Sequence, residues 1–310
     1  MVSTIRAITC VSLLTLSACG GGGGGGGSSA ASAPPPLIPP GTFLAAPGAN
    51  CTGPACTGPE SSVSFTNPGV FGSGTSSATG AQVTIATDAT GKASTVTINV
   101  PAPGGGFYTH PFDLTTTGVA GTGPFAGFIS AFDGINADGS RQNQILLDPN
   151  LTYSSYGLWT NIPTSAAAGA TGALAFGQLT PASNVPINVT FSYSGKTIGA
   201  MVDGTKSTPL IGSETLTANF TNMNLTGSFS LSTVAASGAT TPWTTLNISP
   251  AANIMSGAYT GTVTGSISSG TVSGPINGKF YGPTAQETAG TWSVSDGANI
   301  HAIGGYGAKR

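Results

Sequence analysis

The sequence predicts an all-β chain whose second half is an antiparallel sheet rolled into a barrel. Two observations carry this. Runs of Thr, Val, Ile, Leu, Phe and Tyr alternate with small polar residues at period two, and Gly, Pro, Asn and Ser punctuate them at short intervals. A third observation agrees: no capped segment of helical period stands out, apart from an Ala-rich, Gly-interrupted stretch around residues 164–170.

The amino terminus comes first. Arg6 is followed by an apolar run from Ala7 to Leu16 and then Cys19. This is a secretory signal peptide, too short to span a bilayer. Leu16-Ser17-Ala18-Cys19 resembles a bacterial lipobox, which implies cleavage after residue 18 and acylation of Cys19. Gly20 follows where an Asp would signal inner-membrane retention, so the outer membrane is expected. The Gly, Ser, Ala and Pro run that leads to Pro40 is uncharged. It has too little apolar surface to offset the entropy of ordering, and reads as a disordered tether, with residues 19–59 as its span.

Cys51 and Cys56 are the cysteines left for the mature chain. Their spacing around Gly53-Pro54 suits a small disulfide loop in an oxidising compartment. Free thiols or a metal pair are the alternatives, and no third or fourth zinc ligand is nearby. Only 6% of residues are charged and the formal net charge is −2. No basic patch for nucleic acid exists, and solubility rests on hydroxyls, amides and backbone.

Strand candidates follow at 82–87, 94–100, 125–132 and 145–147. The later pattern is cleaner. Leu216, Ala218 and Phe220 share one face, as do Leu225, Phe229 and Leu231, then Tyr259, Val263 and Ile267, then Val272, Ile276 and Phe280. Four half-buried strands in succession imply an antiparallel sheet, and closing it protects the edges of a chain with few charges. Gly227, Gly261, Gly265, Gly274 and Gly278 fall on the inward parity, where they allow bending. Pro275 is the misfit and predicts a bulge or an edge.

Several stretches carry a family resemblance. Asn277-Gly278-Lys279-Phe280-Tyr281-Gly282-Pro283, Glu287, Gly290-Thr291-Trp292 and Gly304-Gly305-Tyr306-Gly307-Ala308-Lys309-Arg310 resemble the closing strands of the transferrin-binding protein B family of bacterial surface lipoproteins. Leu151-Thr152-Tyr153-Ser154-Ser155-Tyr156-Gly157-Leu158-Trp159 resembles the opening strand of its barrels, and Ala175-Phe176-Gly177 the second strand. The hairpin of the family is similar to the stretch from Val185 to Gly199. The resemblance implies an eight-stranded barrel over 150–310, a small strand-rich handle domain over 60–149, and one such lobe. It also implies a non-catalytic binder, anchored in the outer membrane and facing outward. Its expected ligand is haem or a host or environmental iron-carrier protein, and its expected helper an outer-membrane translocator. A structural or adhesive surface protein without a small ligand is the alternative.

Site candidates are sparse. His110, in an aromatic stretch from Phe107 to Phe112 read as a loop, is the weak candidate for haem; His301 reads as structural. Trp159, Trp292, Tyr156 and Tyr281 read as barrel core and rim, and Trp243 as an exposed loop aromatic. Asp133 to Gly139 has the wrong ligand spacing for calcium and reads as a turn. No cofactor, metal site or catalytic constellation is expected: Gly195-Lys196-Thr197 lacks the first Gly of a phosphate loop, and no nucleophile elbow occurs.

Overall fold

A computed structural model describes residues 55–57, 61–66, 76–87, 93–101, 107–113, 119–135, 141–148, 150–161, 170–177, 179–203 and 206–310. These form two antiparallel sheets, with two 3-10 turns at Gly123–Phe125 and Ala182–Asn184 as the helical elements among them. No helix among the described residues is long and apolar enough to cross a membrane. Cys19 and Cys51 lie outside the described residues, as does most of the Ala-rich stretch before Ala170.

The first sheet holds β1 (Ala55–Thr57), β2 (Ser61–Thr66), β3 (Ser76–Thr87), β4 (Ala93–Pro101), β5 (Phe107–Asp113), β6 (Val119–Ala120), β7 (Ile129–Ile135), β8 (Arg141–Leu147), β9 (Ser154–Asn161) and β10 (Ala170–Gly177). Its order is β5-β4-β3-β2-β10-β9-β8-β7-β6, with β1 on β3. Several expectations change here. Phe125 ends a 3-10 turn rather than starting a strand. His110 stands in β5 opposite Ile98, not in a loop. Cys56 stands in β1 opposite Ile85, so strand structure begins inside the stretch read as tether.

The second sheet is the barrel. Its strands are β11 (Thr190–Asp203), β12 (Lys206–Asn219), β13 (Asn224–Val234), β14 (Thr240–Ile248), β15 (Ala252–Met255), β16 (Ala258–Ile267), β17 (Gly270–Tyr281), β18 (Glu287–Ser295) and β19 (Ile300–Lys309). β14 and β15 both lie between β13 and β16, and serve as one staved position broken by a cis peptide at Ser249-Pro250. β11 pairs with both β12 and β19, and β12 with β13, so eight positions close the ring. Closure gives every strand a partner on both sides, with a ladder of only two rungs between β14 and β16.

The expected inward set fills this barrel. Leu216, Ala218, Phe220, Leu225, Phe229, Leu231, Tyr259, Val263, Val272, Ile276 and Phe280 are all buried in one cluster with Trp292 and Tyr306. Phe280 is the hub, with ring centroids 5.0 Å from Phe220, 5.3 Å from Tyr259 and 5.8 Å from Tyr193. Each such side chain taken fully out of water contributes roughly 1.5–3 kcal/mol. Gly278 is needed opposite this layer, because a Cβ there would lie 2.4 Å from the hydroxyls of both Tyr259 and Tyr306.

The strands that resemble the opening of the family's barrel are not in the ring. β9 pairs with β8 and β10, and β10 with β2, all in the first sheet. Their pattern looks like that of barrel staves because one face is buried against the barrel's outer wall. Tyr156, Leu158, Ala173 and Ala175 pack with Ile198, Ala200, Tyr281 and Ala289 in a second cluster. Gly305 permits this contact: a Cβ there would sit 2.7 Å from the carbonyl oxygen of Gly157.

Pro275 creates neither a bulge nor an edge. It pairs with Thr262 on one side, while toward β18 the ladder lapses between Ser273 and Ile276 and resumes in the same register. A proline has no N–H to donate, and the sheet passes over the missing rung. The bulge lies elsewhere, between Leu231 and Ser232 against β14. Trp243 is in β14, half-buried and packed against the barrel core, not exposed in a loop.

Candidate binding surface

Antiparallel order brings four connections to one mouth of the barrel: the entry to β11, the turns β12–β13 and β15–β16, and the loop β17–β18. The entry segment is a strap across that mouth. The Thr180 N–H donates to the Phe280 carbonyl at 3.0 Å and its hydroxyl to the Gly282 carbonyl at 2.8 Å, which fastens one end to β17. The Phe220 N–H donates to the Val189 carbonyl at 2.9 Å, which fastens the other to β12. Between these points Val185 and Val189 face down onto the core. Pro181 and Pro186 limit the strap's freedom.

Above the strap the surface is unusual. The exposed large hydrophobic residues among those described are Ile187 (76%), Met255 (73%) and Met223 (37%), and all three belong to this mouth. Among the described residues, the non-glycine ones with positive φ are Asn188 (55°), Met223 (51°), Ser256 (50°) and Ala285 (59°), in the same four connections. Such backbone costs energy for an L residue and persists only where the surroundings impose it. The turns thus hold Ile187, Met223 and Met255 outward in fixed positions.

The mouth's connections carry no charged side chain; beside them stand exposed Lys309 and Arg310. The Arg310 guanidinium lies 4.1 Å from the Phe191 ring centroid and donates to Thr284 Oγ1 at 3.3 Å. The Tyr193 hydroxyl donates to the Ala285 carbonyl at 2.8 Å and ties the β17–β18 loop down. The opposite mouth has Asp296, whose Oδ1 accepts from the amides of Ala298, Asn299 and Ile300, and no large exposed apolar residue among those described.

Two buried carboxyls support the body behind this surface. Glu287 accepts from the amides of Thr152 at 2.6 Å, Tyr153 at 2.8 Å and Ser154 at 2.9 Å, and from the Ser154 hydroxyl at 3.0 Å. It locks the start of β9 to the barrel. Burial raises its pKa above the ordinary carboxyl value, and these donors pull it partly back. Glu214 is different. It is 1% exposed inside the barrel, and neither carboxyl oxygen has a hydrogen-bond partner. Burial raises its pKa well above the ordinary value, while the approach of the Gly307 amide and the negative charge of Asp148 act in opposite directions on it. Burial therefore favours its neutral form.

Beside it the Tyr306 hydroxyl donates to the Tyr259 hydroxyl at 2.7 Å, which in turn meets Thr288 Oγ1 at 2.7 Å. Trp292 Nε1 donates to Thr197 Oγ1 at 2.9 Å, and the Thr197 hydroxyl to the Gly305 carbonyl at the same distance. These are satisfied core groups. Tyr156, expected in the barrel, is buried in the cluster between the two sheets, where its hydroxyl donates to Asp148 Oδ2 at 2.8 Å. His301 is half-buried in β19 and its Nδ1 has no hydrogen-bond partner. Among the described residues no three His, Cys, Asp or Glu side chains gather in a way that could hold a metal ion. The strap and its apolar neighbours escaped sequence reading, because Ile187, Met223 and Met255 are far apart along the chain; a large apolar residue next to a turn was the available signal.

The sequence model describing the C-lobe and N-lobe β-barrels of Tf-binding protein B matches residues 185–310. No curated protein matches the chain. Among solved structures, a transferrin-binding protein B mutant from Haemophilus parasuis Hp5 is 14% identical over 83% of this chain and 76% of its own, with a TM-score of 0.41. The isotype 1 transferrin-binding protein B of serogroup B Neisseria meningitidis is also 14% identical, over the same shares, with a TM-score of 0.40. The N-lobe domain of lactoferrin-binding protein B from Moraxella bovis is 14% identical over 53% of this chain and 78% of its own, with a TM-score of 0.35. The closed ring from β11 to β19 lies within the matched segment, so residues 185–310 of this chain are similar to the β-barrels of Tf-binding protein B.

Proposed function

We propose that this chain is a non-catalytic ligand-binding lipoprotein of the outer-membrane surface, held by lipid at Cys19, that docks a protein partner on the strapped mouth of its barrel. The observation that carries this is the gathering of Ile187, Met223 and Met255 at one mouth, on turns with positive φ. Exposed apolar groups on a rigid scaffold lower the ordering cost of an interface, and methionine adapts to a partner's shape. The family supports a host or environmental iron-carrier protein as the partner in kind, since two of the similar structures are named for binding transferrin and a third for binding lactoferrin. Iron or haem capture follows as the role, with an outer-membrane translocator delivering the protein outward.

The test is biolayer interferometry with the full chain against transferrin and lactoferrin. Binding that Ile187→Ser with Met255→Ser weakens at least tenfold supports the reading, because truncating central apolar anchors costs 1 kcal/mol or more each, about. Binding indifferent to both variants removes the mouth as the site. Haem is tested separately by absorbance titration, with a Soret shift lost in His110→Ala as the supporting result. Cys19→Ser should release the chain from the membrane fraction.

A further inference from the structure

The barrel's outer wall carries a second feature that the mouth does not use. Register sets Thr215 beside Ser228, Ser228 beside Asn247, Asn247 beside Thr264, Thr264 beside Ser273, and Ser273 beside Ser295. One row of hydroxyls and an amide thus crosses six strands without a charge or a large apolar side chain. All six residues are exposed or half-buried.

Next to this row the barrel wall opens. The β14–β16 ladder has only two rungs, Asn247 with Thr264 and Ile248 with Val263. On its other side β14 is bulged against β13. A cleft of about 280 Å³ lies where the two strands part, with Thr244, Thr245 and Asn247 on one side and Thr264, Ser266 and Thr271 on the other.

The lining selects its ligand. An ionised group would lose hydration with no opposite charge to compensate it. An apolar ligand would meet no apolar side chain among the lining residues. Hydroxyls and amides, which donate and accept, match a neutral ligand that does the same. A peptide strand could also offer donors and acceptors, but it would need about 4.8 Å on each side to enter a sheet. The Thr244 hydroxyl already spans the seam, donating to the Ser266 carbonyl at 2.8 Å. This bridge leaves room for a small hydroxylated ligand and none for a strand.

We propose that the cleft between β14 and β16 binds a neutral glycan chain, which lies along the adjoining row of hydroxyls. The site is separate from the strapped mouth, so the two readings stand or fall independently.

Saturation-transfer NMR on the full chain tests it, with maltoheptaose and laminarihexaose as neutral probes and colominic acid as an anionic one, all at millimolar concentration. Transfer to a neutral sugar and none to the anionic one is expected. Thr245→Val with Thr264→Val keeps β-branched residues in both strands and should weaken binding about tenfold. Thr226→Val, on the same wall but outside the cleft, should leave it unchanged. Thr271→Gln fills the cleft from its exposed edge and should give the same loss if the double variant melts early. No transfer to either neutral sugar overturns the proposal, as does equal transfer to colominic acid or undiminished binding in a folded double variant.

Discussion

Ser154 donates both its backbone N–H and its hydroxyl to one carboxylate oxygen of Glu287, at 2.9 and 3.0 Å, across 133 positions of sequence. With Thr152 and Tyr153 adding two more donors, a single barrel residue fixes the bend that leads into β9 and hence the seat of the first sheet on the barrel wall.

Glu287→Gln should therefore loosen the two sheets while leaving the ring closed. One carboxylate oxygen becomes an NH₂ group, so at least one of the four donors faces another donor, at a cost of about 1–3 kcal/mol. Denaturant unfolding should register that loss. Hydrogen exchange should speed up at residues 152–154 first, and exchange that speeds up equally inside the barrel would contradict the latch.

Glu214 predicts a pH dependence. Its folded pKa lies well above the ordinary 4.5, so between these two values the folded chain keeps a proton that the unfolded chain releases. Stability from this group is greatest below pH 4.5 and falls as pH rises, by at most about 1.4 kcal/mol per unit. Glu214→Gln should match the wild type near pH 4 and exceed it in stability at pH 8. A variant equally pH-sensitive in thermal melts would show that Glu214 is not the source.

Gly305→Ala brings a methyl group to 2.7 Å from the Gly157 carbonyl oxygen, and backbone cannot yield as a side chain can. The expected cost is about 1–3 kcal/mol. Limited proteolysis should then cut the segment between β8 and β9 faster, while the far-ultraviolet spectrum of the barrel is retained.

Thr197→Val removes the acceptor of the Trp292 indole N–H, which is fully buried. An unsatisfied buried donor costs about 1–3 kcal/mol. Trp292→Phe removes the donor as well and leaves Thr197 its bond to the Gly305 carbonyl, so it costs through the cavity instead. The double variant should cost less than the two single losses added, a coupling that a double-mutant cycle in urea measures.

Much of the ring was legible in the sequence. The alternation of Leu216, Ala218 and Phe220, or of Val272, Ile276 and Phe280, states which face is buried whatever the neighbours are, because the side chains of a strand alternate by geometry. The turn from Phe280 to Pro283 and the glycines near the terminus located the barrel's closing strands. Where the reading failed, in placing β9 in the barrel, it had rested on the family resemblance of Leu151 to Trp159, and alternation could not correct it. The pattern of Tyr156 and Leu158 states that a face is buried but not against what, and β9 buries it on the outside of the barrel. Pro275 looked like an edge because a missing donor is a local fact, whereas the pairing on its other side, with Thr262, is not.

The sequence by itself determined an all-β chain with an apolar parity for four of the barrel strands, β12, β13, β16 and β17, since both follow from spacing along the backbone. Only the tertiary structure decided which strands form the ring, that Glu287 and Ser154 meet, that Glu214 is sealed without a partner, and that Ile187, Met223 and Met255 share one mouth. Those are distances between residues far apart in the chain, set by closure of the barrel and by the packing of the first sheet on its wall, and no local pattern encodes them.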